Sequence, residues 1–401
     1  MISVSEALES LTALVEPGPE EIVPLHLAAG RVLARPVEAA RDQPPFAASA
    51  MDGYAVQTAG LAPGARYRVI GEAAAGHRFS GMVGEGEAVR IFTGAPLPQG
   101  AQHVVIQEDV KRDADGMIVV TEVDPKTHIR PSGSDFKRGE VIAAPRRLSP
   151  ADVALLASMN HPLVPVRRKP VVAVISTGDE LVMPDQNPRD DQIIASNCFG
   201  LKALLEESGA LVLILPIARD TIPALQMVFE LALTADLVVT IGGASVGDHD
   251  LVAKAGKSLG MQQSFYKVAM RPGKPLMAGR IKDTPMIGLP GNSVSSMVCG
   301  HVFLTPVIRH MLGLPAEQTR HTLAPLACAI ARNGPREHYM RASFSNGQLT
   351  PFDRQDSALL SVLAQANALL VRPPHAPALG AGAEVPYILL GDGFDENTYP
   401  T

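Results

Sequence analysis

The chain has no tryptophan, and aromatic residues of all kinds make up only 4% of it. With 35 glycines and 34 prolines present, many turns and short strands are expected, and a bundle of long helices is disfavoured. Cysteine is equally scarce. Cys198, Cys299 and Cys328 lie far apart with no CxxC pair, which argues against a structural zinc site, suits a reducing compartment and suggests three small packed hydrophobes. No apolar run approaches the ~18 residues of a membrane helix; the longest, such as Val171 to Ile175 and Ala210 to Ile217, have the length of strands. Nor is there a dense Lys/Arg tract: 35 basic against 41 acidic residues leave a net charge of −6, so nucleic acid is not an expected partner. Glu6 and Glu9 stand where a signal peptide needs basic residues, so the protein is expected in the cytoplasm, without membrane contact. The patterns HExxH, GxxxxGKS/T and GxGxxG are all missing. A zinc peptidase, a P-loop NTPase and a dinucleotide-binding dehydrogenase therefore have no support.

What is present is modular. At roughly 100 to 200 residues per domain, 401 residues make two to four domains. The start reads as helix, turn, helix: Ser5-Glu6-Ala7-Leu8 opens an amphipathic run, Pro17-Gly18-Pro19 breaks it, and Leu25 to Leu33 resumes an apolar pattern. Short alternating runs follow at Tyr67 to Ile70, Ala88 to Phe92, His103 to Gln107 and Met117 to Val120, the mark of a β-rich module. Ser149-Pro150-Ala151-Asp152 then has the cap, proline and acid of a helix start. If that helix packs back on the N-terminal ones, residues 1–41 and 140–168 form one helical region, and residues 42–139 are a β-rich insertion.

From Lys169 strands and helices alternate. Strands are expected at Val171 to Ser176, Leu211 to Pro216 and Leu237 to Ile241, and helices at Ser196 to Glu207, Ile222 to Leu233 and Leu251 to Ser258. Strand-like pieces at Ser264 to Ala269 and Leu276 to Ile281 precede a long helix from Asn292 to about Leu312. Strands that are apolar throughout predict a parallel or mixed sheet covered on both faces, an α/β domain over residues 169–316. Residues 317–401 return to β-like patches with a helical stretch near Ala358 to Ala366.

Ligands of such sheets bind at the carboxyl ends of the strands, and the loops there are rich in polar residues. They include Thr177-Gly178-Asp179-Glu180, Arg219-Asp220, Gly242 to Asp250, Arg271-Pro272-Gly273-Lys274-Pro275 and Leu289-Pro290-Gly291-Asn292-Ser293. Each carboxylate, taken singly, reads equally as a helix cap or a solvated turn; five loops on one edge do not. Gly242-Gly243-Ala244-Ser245-Val246-Gly247 and Pro290-Gly291-Asn292-Ser293 have the glycines followed by a helix that an anion needs. Arg271 and Lys274 add charge for a phosphate or oxyanion, and Glu180, Asp220 and Asp250 are hard oxygen ligands suited to Mg²⁺. His249 reads as an ordinary loop histidine.

These residues carry a resemblance. Ser49-Ala50-Met51-Asp52-Gly53-Tyr54-Ala55-Val56, Thr93-Gly94-Ala95-Pro96, Ser176 to Leu181, Gly242 to Asp248, Arg271 to Pro275 and Leu289 to Asn292 occur in the order typical of the molybdopterin molybdenumtransferases. This is the MoeA family, to which the E domain of gephyrin is similar, and the resemblance runs from Asp42 to about Pro373. It implies an α/β multidomain fold: a helical dimerisation region, the β-rich insertion, a molybdopterin-binding α/β domain and a C-terminal β-barrel-like domain. The activity it implies is insertion of molybdate into adenylylated molybdopterin with Mg²⁺-assisted release of AMP. Carried over position by position, Glu180, Asp52, Asp250 and Lys274 would be catalytic, with Glu180, Asp220 and Asp250 holding metal. Substrate would meet Thr93, Asp135, Thr177, Gly178, Asp179, Asp220, Gly242, Gly243, Ser245, Gly247, Asp248, Arg271, Gly273, Pro290, Gly291, Asn292, Arg336 and Ser357. The segment around Ala195 lacks the family's usual Tyr-Asp, and Arg271 replaces a common Lys. The resemblance further implies a homodimer, with the molybdopterin adenylyltransferase and molybdoenzyme-maturation proteins as partners. A nucleotidyltransferase of the adenylylating kind and a non-catalytic dimeric scaffold are the alternatives.

Overall fold

Apolar runs and turn residues sort the chain into two units in the computed structural model, which describes residues 1–243, 251–315 and 322–391. The larger unit combines Met1–Glu21 with Arg167–Thr401, and the smaller is Ile22–Val166.

The smaller unit is built on a six-stranded sheet in the order His103–Ile106, Gly53–Val56, Glu87–Ile91, Arg66–Ala73, Ile118–Val120, Val110–Arg112. Alternation along the strands divides its core: Ala55, Val89, Ile91 and Val104 pack on one face, Tyr54, Val56, Val105 and Ile118 on the other. Gly53 admits no side chain, because a Cβ there would stand 2.0 Å from the Val105 carbonyl oxygen. The Ser149 helix forms as its cap predicts, over Pro150–Ser158, with Ser149 and Asp152 completing a capping box. The expected helix at Leu25 to Leu33 does not form. A single 3-10 turn, Leu25–Leu27, gives way at Gly30 (φ +72°) to the strand Val32–Leu33, which pairs with Arg146–Arg147 and Leu163–Arg167. Too short to nucleate as a helix, the segment buries Leu33 against Leu148, Leu156, Val164 and Val166 instead. The Val4–Thr12 helix, capped by Ser3 and Glu6, packs within the larger unit on the helix that ends at Met311.

The larger unit contains a six-stranded sheet in the order Leu211–Ile214, Val171–Ser176, Leu237–Ile241, Thr284–Leu289, Pro275–Ile281, Gln262–Lys267. The first four strands are parallel and the last two antiparallel, so the sheet is mixed. Leu225, Val228 and Phe229 of the Ile222–Ala232 helix, with Val252 and Ala255 of Leu251–Ser258, cover Ala173, Ile175 and Val238. Asn197–Glu207 packs against the helix that starts at Ser293. That helix runs to Met311 as expected, but with a π turn over Gly300–Leu304. At Gly300 a Cβ would lie 2.8 Å from both Leu201 and Leu204, so the glycine lets the two helices approach closely.

The C-terminal sheet runs Met270–Arg271, Glu337–Ser345, Ala368–Arg372, Glu384–Leu389, Thr322–Pro325, with Gln348–Pro351 beside Glu337–Ser345. A bridge from Leu326 to Leu349 curls it into a barrel-like ring around Leu370, Val385 and Tyr387. Cys198 and Cys299 are buried as expected, whereas Cys328, in the turn after an edge strand, is exposed.

Candidate functional site

The Val171–Ser176 strand ends beneath a loop tied to both of its neighbours. The Thr177 N–H donates to the Ile241 carbonyl at 3.0 Å, its hydroxyl to the same oxygen at 3.3 Å, and the Gly178 N–H to the Ala218 carbonyl at 3.1 Å. Gly178 takes φ +144°, and the Glu180 carboxylate lies over its Cα, since a Cβ there would sit 2.3 Å from Glu180 Oε2. Asp179 Oδ1 accepts the Asp220 N–H at 3.1 Å, and the Arg219 guanidinium donates to the Asp179 carbonyl at 2.9 Å. The Asp220 carboxyl is raised above its usual range, first by desolvation at the cavity wall, then by the charges of Asp179 and Glu180.

The third strand delivers Gly242, whose N–H donates to the Leu289 carbonyl at 3.1 Å. Its φ of +93° suits only glycine there, a Cβ being 2.8 Å from the Thr177 carbonyl oxygen. Gly243 is tighter still, with a Cβ at 2.1 Å from Val252 Cγ2. The fourth strand delivers Pro290 to Ser293. Gly291 passes 3.5 Å, measured from its would-be Cβ, from Gly242 Cα, and its carbonyl accepts Asn197 Nδ2 at 2.7 Å. Asn292 Nδ2 donates to Ser357 Oγ at 3.1 Å, and the Ser357 carbonyl accepts the Val294 N–H, also at 3.1 Å.

These loops enclose a cavity of about 700 Å³ at the carboxyl edge of the parallel strands. Of the residues singled out by sequence, Thr177, Gly178, Glu180, Asp220, Gly242, Gly243, Pro290, Gly291 and Asn292 line it. Asp179 and Ser357 stand behind the wall through the hydrogen bonds above. Lys274 is exposed in the turn that leads to Pro275, which lines the cavity. The glycine before it, Gly273, fits at φ +107° against Cys299, whose Sγ a Cβ would meet at 2.6 Å. Arg271 pairs in register with His338, and Arg336 donates to the Met270 carbonyl at 3.4 Å, so both lie along the C-terminal sheet. In the smaller unit the Thr93 N–H and hydroxyl both donate to Asp52 Oδ1 at 2.8 Å, which holds the Asp52 carboxyl below its usual range. Asp135 is exposed, its N–H donating to the Gln43 carbonyl. Ser245, Gly247, Asp248, His249 and Asp250 lie outside the described residues.

Sequence reasoning missed Asn197, which opens a helix and ties it to the Gly291 loop, and the Ile193–Ile194 strand, whose pairing with Leu181–Val182 forms another wall. The polar residue at a helix start was the available signal for the first. Among the described residues no three His, Cys, Asp or Glu side chains gather closely enough to enclose a metal. Glu180 and Asp220 nevertheless line one cavity, and a pair of carboxylates there fits Mg²⁺, an ion that takes one or two carboxylates beside substrate phosphates.

A mixed α/β sheet with a carboxylate-lined, glycine-walled cavity on its carboxyl edge, a barrel-like C-terminal domain and a separate β-rich unit define a multidomain α/β class of protein. Residues 2–160 match the MoeA N-terminal region (domains I and II), residues 173–310 the probable molybdopterin binding domain, and residues 323–390 the MoeA C-terminal region (domain IV). The chain belongs to the MoeA family. It is 36% identical over 383 residues to the molybdopterin molybdenumtransferase of Nostoc sp., covering 91% of this chain and 87% of that protein. The molybdopterin molybdenumtransferase of Haemophilus influenzae is 33% identical, with 96% of this chain and 98% of the relative covered. A solved molybdopterin biosynthesis MoeA protein from Pyrococcus horikoshii superposes with a TM-score of 0.84 at 30% identity, over 98% of this chain and 100% of that one.

Proposed function

We propose that this chain is a molybdenum insertase of molybdenum cofactor biosynthesis, a transferase that places molybdate in adenylylated molybdopterin and releases AMP. The observation that carries the reading is the meeting of two glycine-walled loops with Glu180 and Asp220 in one cavity. A pyrophosphate needs both kinds of wall. Glycines at Gly242, Gly243 and Gly291 leave the backbone open to close approach, and the helix starting at Ser293 presents its positive end. Glu180 and Asp220 would hold Mg²⁺, which when bound neutralises charge that builds on the phosphate oxygens as AMP leaves. Lys274 and Arg271 supply positive charge for the oxyanion, and Asp52, its carboxyl held in place and below its usual range by its bonds to Thr93, serves as a fixed carboxylate. Because the match spans the N- and C-terminal regions as well as the α/β domain, it favours the insertase over an adenylylating enzyme. The protein acts in this reading as a cytoplasmic homodimer that receives its substrate from a molybdopterin adenylyltransferase and passes its product to molybdoenzyme-maturation proteins. Among the described residues no helix is long and apolar enough to cross a membrane.

The test is incubation of purified protein with adenylylated molybdopterin, Mg²⁺ and molybdate, following AMP release and metal incorporation together. Neither product forming would overturn the reading. Gly178→Ala probes the cavity in the same assay. A Cβ at Gly178 displaces the mobile end of Glu180 rather than backbone, so AMP release is expected to fall about tenfold while the unusual φ costs roughly 1–3 kcal/mol of stability. A normal rate would show that Glu180 need not lie where the fold holds it.

A further inference from the structure

Asp52 follows a short segment of the Ile22–Val166 unit that is braced on two sides. On one side the Ser49 N–H donates to the Ala95 carbonyl at 3.0 Å and the Gly94 N–H to the Ser49 carbonyl at 2.9 Å, next to the Thr93 bonds to Asp52. On the other, the strand Ile129–Arg130 pairs with Ala48–Ser49, and the His128 carbonyl accepts the Ala50 N–H at 2.8 Å. Ser49, fully buried, closes the turn by donating its hydroxyl to the Met51 carbonyl at 2.6 Å. The backbone is thus fixed up to the residue before Asp52.

His128 delivers its carbonyl from φ +51°, a left-handed conformation that residues with a Cβ seldom occupy and that persists only where the surroundings enforce it. Its ring is well placed to do so. The side chain is only 14% exposed, and Nε2 lies 3.1 Å from Asp124 Oδ2, a charge contact off the line of a hydrogen bond; among the described residues Nε2 has no other partner. Asp124 accepts the Lys126 N–H at 2.8 Å, and that bond first, then the charge of His128, hold its carboxyl below its usual range. Behind the ring stands that of His103, edge-on at 6.4 Å, buried, and kept below the ordinary histidine range by burial foremost. The Val104 N–H donates to the Thr127 carbonyl at 3.0 Å, which pins the segment carrying His128 to the strand carrying His103.

We propose that His128 is a positioning residue for Asp52: its ring, held by Asp124 and backed by His103, keeps the peptide in the left-handed conformation that gives its carbonyl to Ala50, and so fixes the Asp52 carboxylate against Thr93. The inference rests on the insertase reading, in which Asp52 meets substrate. His128 acts through Ala50 and is not itself a substrate contact.

The test compares the full-length wild type with His128→Gly, His128→Asn and Asp124→Asn. Three quantities are measured: the titration of the Asp52 carboxyl by carbon-detected NMR, kcat and KM for AMP release, and Tm. Glycine tolerates the left-handed conformation without holding it, so His128→Gly should let the Asp52 carboxyl rise toward the ordinary carboxylate range and lower kcat about tenfold, with KM little changed. Asparagine enters that region more readily than most residues and carries an amide that can donate to Asp124, so His128→Asn should restore most of both. Asp124→Asn keeps an oxygen for the Lys126 N–H and removes the charge facing the ring; it should shift both quantities in the direction of His128→Gly, by less. With an active wild type, an unchanged kcat or an unshifted Asp52 in His128→Gly overturns the proposal, as does a loss that asparagine fails to rescue or that only tracks a lowered Tm. With an inactive wild type the NMR titration decides alone: a shift keeps the positioning role while the insertase reading falls, and no shift removes both.

Discussion

Glu180→Gln is expected to lower AMP release by at least ~10²-fold at saturating Mg²⁺ with the fold intact. The substitution keeps the shape that rests on Gly178 Cα and removes only the charge. In the wild type Glu180 and Asp179 share responsibility, after desolvation, for raising the Asp220 carboxyl. Glu180→Gln should therefore let Asp220 titrate lower, a shift that carbon-detected NMR of the Asp220 carboxyl can follow independently of turnover. Stability follows the same sign. A carboxyl whose folded value lies above its unfolded one weakens the fold as pH rises through that interval, and relieving it removes part of the loss at neutral pH. A near wild-type rate in saturating Mg²⁺ would take Glu180 out of the mechanism, and an unmoved Asp220 would mean that the two carboxylates do not sense each other.

Mixing inactive Asp52→Ala and Glu180→Ala proteins is expected to restore roughly a quarter of wild-type activity, if the protein is a homodimer whose clefts are shared between subunits. The expectation begins from the placement of Asp52 in the Ile22–Val166 unit and of Glu180 in the other unit of the same chain. Each is preformed by its own local bonds, Asp52 by Thr93 and Glu180 by the loop anchored on Ile241 and Ala218. Each homodimer then carries a lesion in every cleft. Random exchange makes half of the dimers mixed, and in a mixed dimer one shared cleft bears both lesions and the other neither, hence roughly a quarter of all clefts intact. Sites built within single subunits would leave one lesion in every cleft, and mixing would restore nothing. Differential tags establish that exchange has occurred; confirmed mixed dimers without rescue defeat the shared cleft, as does a monomer by light scattering at micromolar concentration.

Much of the sheet that carries the cavity was legible because its signals are local. Val171–Ser176 and Leu237–Ile241 are continuous apolar β-branched runs, and they formed strands with those limits. The Thr284–Leu289 strand was hidden by Pro285 and Gly288, which are poor strand formers. A hairpin through Lys282 (φ +53°) supplies it, pairing Pro285 with Arg280 and Gly288 with Met277. Gly53–Val56 was visible as a motif and not as a strand, since its central place depends on partners at Arg90 and Val105, far along the chain. Leu25 to Leu33 erred in the other direction, where an apolar pattern compatible with a helix was claimed by sheet pairing.

The sequence by itself determined most of the strands of the buried sheet, the polar loops at its edge, and that those loops carry glycines, hydroxyls and carboxylates. Burial pattern and turn chemistry act over a few residues, so they can be read along the chain. Tertiary structure alone decided that Gly178 sits beneath Glu180, that Asn197 holds the Gly291 loop, and that the His128 carbonyl meets Ala50. Those relations depend on strand order and register, which arise when residues distant in sequence compete for the same buried surface and hydrogen-bonding partners, and no local pattern encodes the outcome.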